Sequence, residues 1–194
     1  DFVLVGLNGQ QLLNGLKPIA GAPGPQGLGD PLENFGLGFF RIDDTVPISA
    51  FPNRVWNENE DEDVARLQLF RTVRNNTGAT ITTLRIRFID LTTLNSPVVG
   101  SSRQAILYPV SSNAFEGVQT SKGIKTVRGF RLDPVPGPPT SRRGGLNSSM
   151  TVALPSGGLP PCSTSPNSCS LDVTMTFEAE PTGSFRVAWW PEVK

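Results

Sequence analysis

Apolar and polar residues alternate repeatedly along the chain from about residue 35 onwards. Alternation of this kind is typical of strands that bury one face, and turn-forming residues separate the stretches. In residues 64–74, for example, Leu67, Leu69 and Val73 share one face, and a turn follows at residues 75–78. The same pattern predicts further strands over residues 81–91, 103–110, 123–132, 146–154, 171–180 and 184–190.

Helices are not indicated anywhere in the chain. The 194 residues include 20 Gly and 18 Pro, and no window of helical length carries an apolar stripe free of both. The sequence therefore predicts an all-β fold, an antiparallel β-sandwich of the immunoglobulin-like or jelly-roll-like kind, with an extended N-terminal arm. We expect the arm to cover residues 1–34 and the sandwich domain residues 35–194.

The arm has two parts, an apolar segment over residues 2–7 and a tether over residues 8 to about 34, which is rich in Gly and Pro at residues 15–31. The apolar segment has no polar alternation, so a strand formed by it needs cover on both faces. Such a strand on a tether suits addition to the sheet of a neighbouring subunit, and the alternative is an ordinary first strand of its own sandwich. The predicted subunit-interface residues are Phe2, Val3, Leu4, Val5 and Leu7.

The charge and composition of the chain argue against several classes of function. Seventeen Lys and Arg balance seventeen Asp and Glu, so no net field favours nucleic acid or an anionic membrane. No apolar run approaches the length of a membrane span. Histidine is absent, which removes the commonest general base and the usual zinc ligand. We therefore expect no enzyme activity, no catalytic residue and no cofactor.

Cys162 and Cys169 are the only cysteines, with six residues between them in a Pro/Ser/Asn stretch. Their spacing predicts a local disulfide, and two free thiols in a reducing cytosol are the alternative. The chain begins at Asp1 rather than Met, as a product cleaved from a signal peptide would. Both observations favour a secreted protein that is extracellular or on the cell surface.

An acidic run over residues 57–63 carries five carboxylates and two amides, which are the oxygen ligands that calcium prefers. The spacing is not that of an EF-hand, and a solvated loop is the alternative that we favour over a metal site. The candidate calcium ligands are Glu58, Glu60, Asp61, Glu62 and Asp63.

Five arginines lie on two adjacent predicted strands, and we expect them to pair with the acidic run or with cross-strand acids rather than to bind nucleic acid. They are Arg66, Arg71, Arg74, Arg85 and Arg87. Asn75 and Asn147 each begin an Asn-x-Ser/Thr triplet, so a glycan is an open alternative at either site. The pair Trp189-Trp190 should place one indole inward and one outward.

Several turn and core stretches form a recognisable set: residues 51–55 (FPNRV), 69–79 (LFRTVRNNTGA), 83–90 (TLRIRFID), 92–97 (TTLNSP), 144–149 (GGLNSS) and 183–186 (GSFR). Together they resemble a β-sandwich module found near the ends of large secreted proteins of environmental bacteria. The resemblance covers roughly residues 45–190 and implies an extracellular structural module without catalytic residues. This chain departs from the pattern by carrying its own arm.

The function that these observations favour is a structural subunit of an extracellular filament or surface assembly. Copies of the chain would polymerise by donating the N-terminal strand to a neighbour. One alternative is a secreted, adhesin-like module that binds a glycan or a protein. Another is a viral coat subunit with a jelly-roll body and an N-terminal arm.

Overall fold

A computed structural model of the protein describes residues 37–58, 64–91, 107–133, 143–145, 148–179 and 187–194. These residues form ten strands and no helix, which confirms the all-β class. The strands are β1 (Leu37–Arg41), β2 (Arg54–Glu58), β3 (Ala65–Asn75), β4 (Leu84–Leu91), β5 (Leu107–Val110), β6 (Phe115–Thr120), β7 (Gly123–Leu132), β8 (Ser149–Val152), β9 (Ser170–Ala179) and β10 (Val187–Val193). Nothing in the described ranges is a helix long and apolar enough to span a membrane.

The strands form one sheet that curls into a half-barrel, in the order β1-β3-β9-β7-β8-β4-β10. Along one side of the long strand β3, β1 pairs with its second half and β2 with its first half, and β9 pairs along the other side. β5 pairs with β9 and β6 pairs with β7. All pairs are antiparallel except β7 with β9, so the expected purely antiparallel arrangement is wrong at that one pair.

A glycine lies where β7 changes its pairing partner. The first part of β7 lies beside β9 at Arg128 and Gly129, and residues 130–132 pair with β8 instead. A Cβ atom on Gly129 would lie 1.8 Å from the carbonyl oxygen of Asn113, so no larger residue fits there without a backbone shift. The glycine therefore leaves room for the link between β5 and β6, which crosses β7 at the point where β7 passes from β9 to β8.

The main core lies inside the curl. Alternate residues of β9 point into it, as the sequence pattern predicted, and the rings of Phe88 and Phe177 meet edge to face with centroids 5.6 Å apart. A second, smaller cluster is formed by Ile42, Phe70, Val118 and Val127. Phe70 lies on β3 between Leu69 and Arg71, so β3 contributes to both clusters, although Arg66 and Arg74 on the face of Phe70 are exposed.

Candidate functional site

The two ends of the curled sheet come together without a backbone ladder. β1 and β2 lie at one end and β10 at the other, and among the described strands each pairs on one side only. The rings of Phe39 on β1 and Trp189 on β10 meet edge to face, with centroids 6.4 Å apart. Side chains rather than hydrogen bonds therefore join the two ends, and we call the gap between β1/β2 and β10 the seam.

The seam exposes part of the apolar core. Six of its side chains pack against the main core but are only half-buried: Leu37, Phe39, Trp56, Val187, Trp189 and Val193. By contrast, Val73 and Phe88 on the adjoining strands β3 and β4, and Phe177 on β9, are completely buried. Because burial of apolar surface contributes roughly 25 cal/mol per Å², this gap is where an added apolar strand gains contact with an existing core.

The backbones on the two sides of the seam differ. β10 contains Pro191 opposite Ile86, and its pairing with β4 shifts register between Ala188 and Trp189. A proline has no N–H to donate, and a bulge interrupts the regular spacing of a ladder. β1 pairs with β3 in continuous register from Leu37 to Arg41 and contains no proline. The β1 side thus offers the more regular backbone.

Arg71 occupies the break between β1 and β2. It alternates with Leu69 and Val73 on β3 and is buried. Its Nη1 donates to the carbonyl oxygens of Asn53 and Phe70, each at 2.7 Å. Burial lowers the pKa of the Arg71 guanidinium. This arginine satisfies backbone carbonyls where two short strands leave a gap, instead of pairing with an acid as the sequence suggested.

The loop between β1 and β2 is clamped to the β6–β7 turn by a carboxylate. Asp43 accepts bonds from the Thr45 hydroxyl at 2.6 Å, the Ser121 backbone N–H at 2.6 Å and the Ser121 hydroxyl at 2.9 Å. These bonds, led by that from Thr45, hold the pKa of Asp43 far below its usual range. Asn53 completes the clamp by donating to the Asp43 carbonyl oxygen at 2.8 Å.

A buried charge cluster fixes β10 to β4 on the other side of the seam. Glu192 bonds Arg85 Nε at 2.5 Å through one carboxylate oxygen and Arg87 Nε at 2.7 Å through the other. The Glu192 side chain is only 3% exposed. At the end of β10, the Lys194 carbonyl oxygen accepts from the Thr83 N–H at 3.0 Å. Cross-strand pairing of these two arginines agrees with the sequence prediction.

Most of the predicted site residues lie outside the described part of the chain. These are the interface residues Phe2, Val3, Leu4, Val5 and Leu7, the calcium candidates Glu60, Asp61, Glu62 and Asp63, and the glycan candidate Asn147. Glu58 is described, and its Oε1 accepts from the Trp56 indole at 2.9 Å. No group of acids or cysteines that could hold a metal ion occurs among the described residues.

The described glycan candidate, Asn75, is completely buried. Its Nδ2 donates to the carbonyl oxygens of Ala79 at 2.9 Å and Leu159 at 2.7 Å, and its Oδ1 accepts from the Thr77 backbone N–H at 3.0 Å. Since N-glycosylation requires that same amide nitrogen, the folded domain does not present Asn75 as an acceptor. The triplet instead serves as an Asx turn at the end of β3.

Cys162 and Cys169 are joined by a disulfide, as their spacing predicted. The bridged loop docks on Asn75 through its backbone: the Cys162 N–H donates to the Asn75 carbonyl oxygen at 2.7 Å, and the Asn75 N–H donates to the Cys169 carbonyl oxygen at 2.9 Å. Leu37, the first residue of β1, pairs with Asn75. The disulfide loop is therefore connected to one end of the seam.

The aromatic residues at the seam were only partly found from the sequence. Trp189 points to the core, as expected for one member of the Trp pair, and Trp190 lies opposite Arg87 on β4. Phe39 and Trp56 were not singled out, because their role depends on which strands end the sheet. The sequence feature that points to these residues is the occurrence of aromatic residues close together, as in Phe39-Phe40.

No protein-family model, curated protein or solved structure matches the chain. The resemblance to modules of secreted bacterial proteins therefore stays a prediction from the sequence.

Proposed function

We propose that the protein is a structural subunit of an extracellular assembly, in which the apolar segment of one copy adds as a strand to the sheet of the next copy. The observation that carries the proposal is the pairing of two features in one chain. Residues 2–7 are apolar or Gly throughout, and the body has a curled sheet whose apolar core is open at the seam. Both are apolar, and each can cover the other.

The free energy of burial favours a site that covers this strand on both faces. Burying a large apolar side chain contributes roughly 1.5–3 kcal/mol, whereas fixing the backbone of each residue costs about 1–2 kcal/mol. A segment covered on one face only, with half of its side chains in water, barely offsets that cost. A segment covered on both faces and bonded along its backbone gains enough to hold subunits together.

Strand donation of this kind joins unlike surfaces, the segment of one copy and the sheet of another. Such heterologous contacts generate open filaments unless the rotation between subunits closes a ring. The disulfide supports an oxidising location outside the cytosol, where small bridged loops persist. A secreted filament or surface layer is therefore the function that we propose, with further copies of the chain as partners and no catalytic role.

The test compares the full chain with a donor-silenced variant that combines Val3→Asp and Val5→Asp. The control places the same two charges in the tether as Asn8→Asp and Gln10→Asp. We expect the wild type and the control to form filaments in electron micrographs and large species in sedimentation, and the donor-silenced variant to stay monomeric.

Two results would overturn the proposal: filaments of the donor-silenced variant, or a wild type that stays monomeric at every concentration. Monomers would favour the binding module, and closed shells would favour the coat subunit. Circular dichroism of each variant establishes that the β-rich body is folded.

A further inference from the structure

We infer that the acceptor for the donated segment is the seam, and that the segment pairs with the edge of β1 that no described strand covers and not with β10. This inference rests on the proposed function, since it names where the neighbour's residues 2–7 dock. Three independent observations carry it: the backbone of the two edges, the apolar surface on both faces of β1, and the length of the tether.

The backbone argument excludes β10 as the pairing edge. Pro191 lies inside β10 and cannot donate a hydrogen bond, and the register shift between Ala188 and Trp189 distorts the strand near its start. Proline and bulges are the devices by which edge strands avoid further pairing. β1 has neither of them over its five residues, and it extends about 17 Å. A six-residue donor spans about 20 Å and matches that length.

The side-chain argument explains why both faces of the donor are apolar. On the inner face of β1, Leu37 and Phe39 point to the half-buried core at the seam. On the outer face, Phe40 is 49% exposed, and its ring folds back over Gly38, where a Cβ atom would lie 2.4 Å from the ring. Alternate donor side chains would therefore meet apolar surface on each side of β1, whereas a polar outer face would suit an ordinary edge strand.

The tether argument favours a neighbour over the same chain. Residues 8–36 number 29 and connect directly to β1 at Leu37. Connections between paired strands of one domain are usually 2–6 residues, which is much shorter than 29. Fully extended, 29 residues reach about 100 Å, which exceeds the roughly 40 Å diameter of a domain of this size. The tether can thus cross the surface of an adjacent subunit.

The inference is tested by complementation between two full-length variants. The donor-silenced variant, V3D/V5D, keeps the β1 surface, and an acceptor-silenced variant, Phe40→Asp, keeps the donor segment. Phe115→Asp is the matched control, because Phe115 is 58% exposed on another edge strand, β6. We expect Phe40→Asp to weaken assembly at least tenfold, Phe115→Asp to change it less than twofold, and a mixture of the two silenced variants to form a 1:1 complex.

Hydrogen exchange locates the paired edge. In wild-type assemblies, backbone amides of residues 37–41 should exchange at least tenfold more slowly than in the donor-silenced variant, with little change in residues 187–193. Protection confined to β10 or β6, or equal effects of Phe40→Asp and Phe115→Asp, would overturn the acceptor assignment while the Val3 and Val5 substitutions still block assembly.

Two further outcomes separate the hypotheses. Slow exchange in β1 of a monomeric wild type, without any complex on mixing, would mean that the segment inserts into its own body and would overturn donation to a neighbour. Assembly that is unaffected by V3D/V5D would overturn the proposed function itself. If Phe40→Asp does not fold, Phe40→Ala provides the same comparison with a smaller change.

Discussion

Replacement of Asn75 should destabilise the domain strongly, although Asn75 is a polar residue in a turn. Asn75→Ala removes two donated bonds, to the carbonyl oxygens of Ala79 and Leu159, and two bonds accepted from Thr77. A typical hydrogen bond contributes a net 0.5–1.5 kcal/mol, so four bonds amount to about 2–6 kcal/mol. The Leu159 carbonyl keeps its bond from the Ile81 N–H, which places the expected loss near 3 kcal/mol.

The assay is urea unfolding followed by tryptophan fluorescence, with Asn76→Ala as the control. Asn76 is the exposed neighbour of the buried Asn75, and its replacement should change the free energy of unfolding by less than about 0.5 kcal/mol. A loss below about 1 kcal/mol for Asn75→Ala would refute the view that this side chain ties the end of β3 to the turn and to the disulfide loop.

The pH dependence of stability in the variant Asn75→Asp tests the same hydrogen bonds in a second way. The new carboxylate would face two carbonyl oxygens in a buried site, so its pKa should be raised in the folded state. A raised folded-state pKa means that the protonated form favours folding and that stability falls as the pH rises through that value. We therefore expect Asn75→Asp to be less stable than Asn75→Ala at pH 7 and to recover as the pH is lowered.

Four further predictions concern the rest of the molecule. Hydrogen bonds depress the pKa of the Asp43 carboxyl below the ordinary 3.8. The ionised carboxylate therefore stabilises the fold fully above about pH 4, and this contribution is lost as the pH falls further. Acid unfolding of Asp43→Asn should show a flatter pH dependence than that of the wild type. Glu192→Gln leaves two buried arginines facing a neutral amide and should cost about 3 kcal/mol in urea unfolding, while Asp44→Asn, at an exposed ion pair, changes little. Mass measurement should detect no alkylation of Cys162 or Cys169 before reduction, and reduction should lower stability by about 2 kcal/mol. Hydrolase and transferase assays should show no turnover, and activity abolished by a single Asp or Glu substitution would contradict this.

The long strands were predictable because each has a face that repeats every second residue. The predicted strand over residues 64–74 corresponds to β3 at Ala65–Asn75, and that over 123–132 corresponds to β7 at Gly123–Leu132. β2 and β6 were not predicted, since each is only five or six residues long and contains few apolar residues. Their conformation comes from pairing with β3 and β7, which is a tertiary effect that local alternation does not report.

The seam was beyond prediction for a different reason. Phe39 and Trp189 are 150 positions apart, and their contact depends on the order of all the strands between them. The parallel pairing of β7 with β9 is part of that order, and it joins strands whose sequences are more than 40 residues apart. The buried state of Asn75 was also missed, because a glycosylation triplet and an Asx turn have the same residues.

Proline and charged residues in the edge strands indicate which side of the seam can pair with an added strand. β5 contains Pro109 and β10 contains Pro191, so both lack a donor that an added strand would need. β2 carries Arg54 and Glu58 at its two ends, and charged residues on an edge oppose further pairing. β1 has no proline or acidic residue and carries one charge, Arg41, at its end. An unprotected apolar edge is an aggregation hazard in a protein that works alone. In a subunit that receives a strand it is a requirement, and a donor that pairs only with β1 would join copies in one orientation and extend them in a line rather than associate at random.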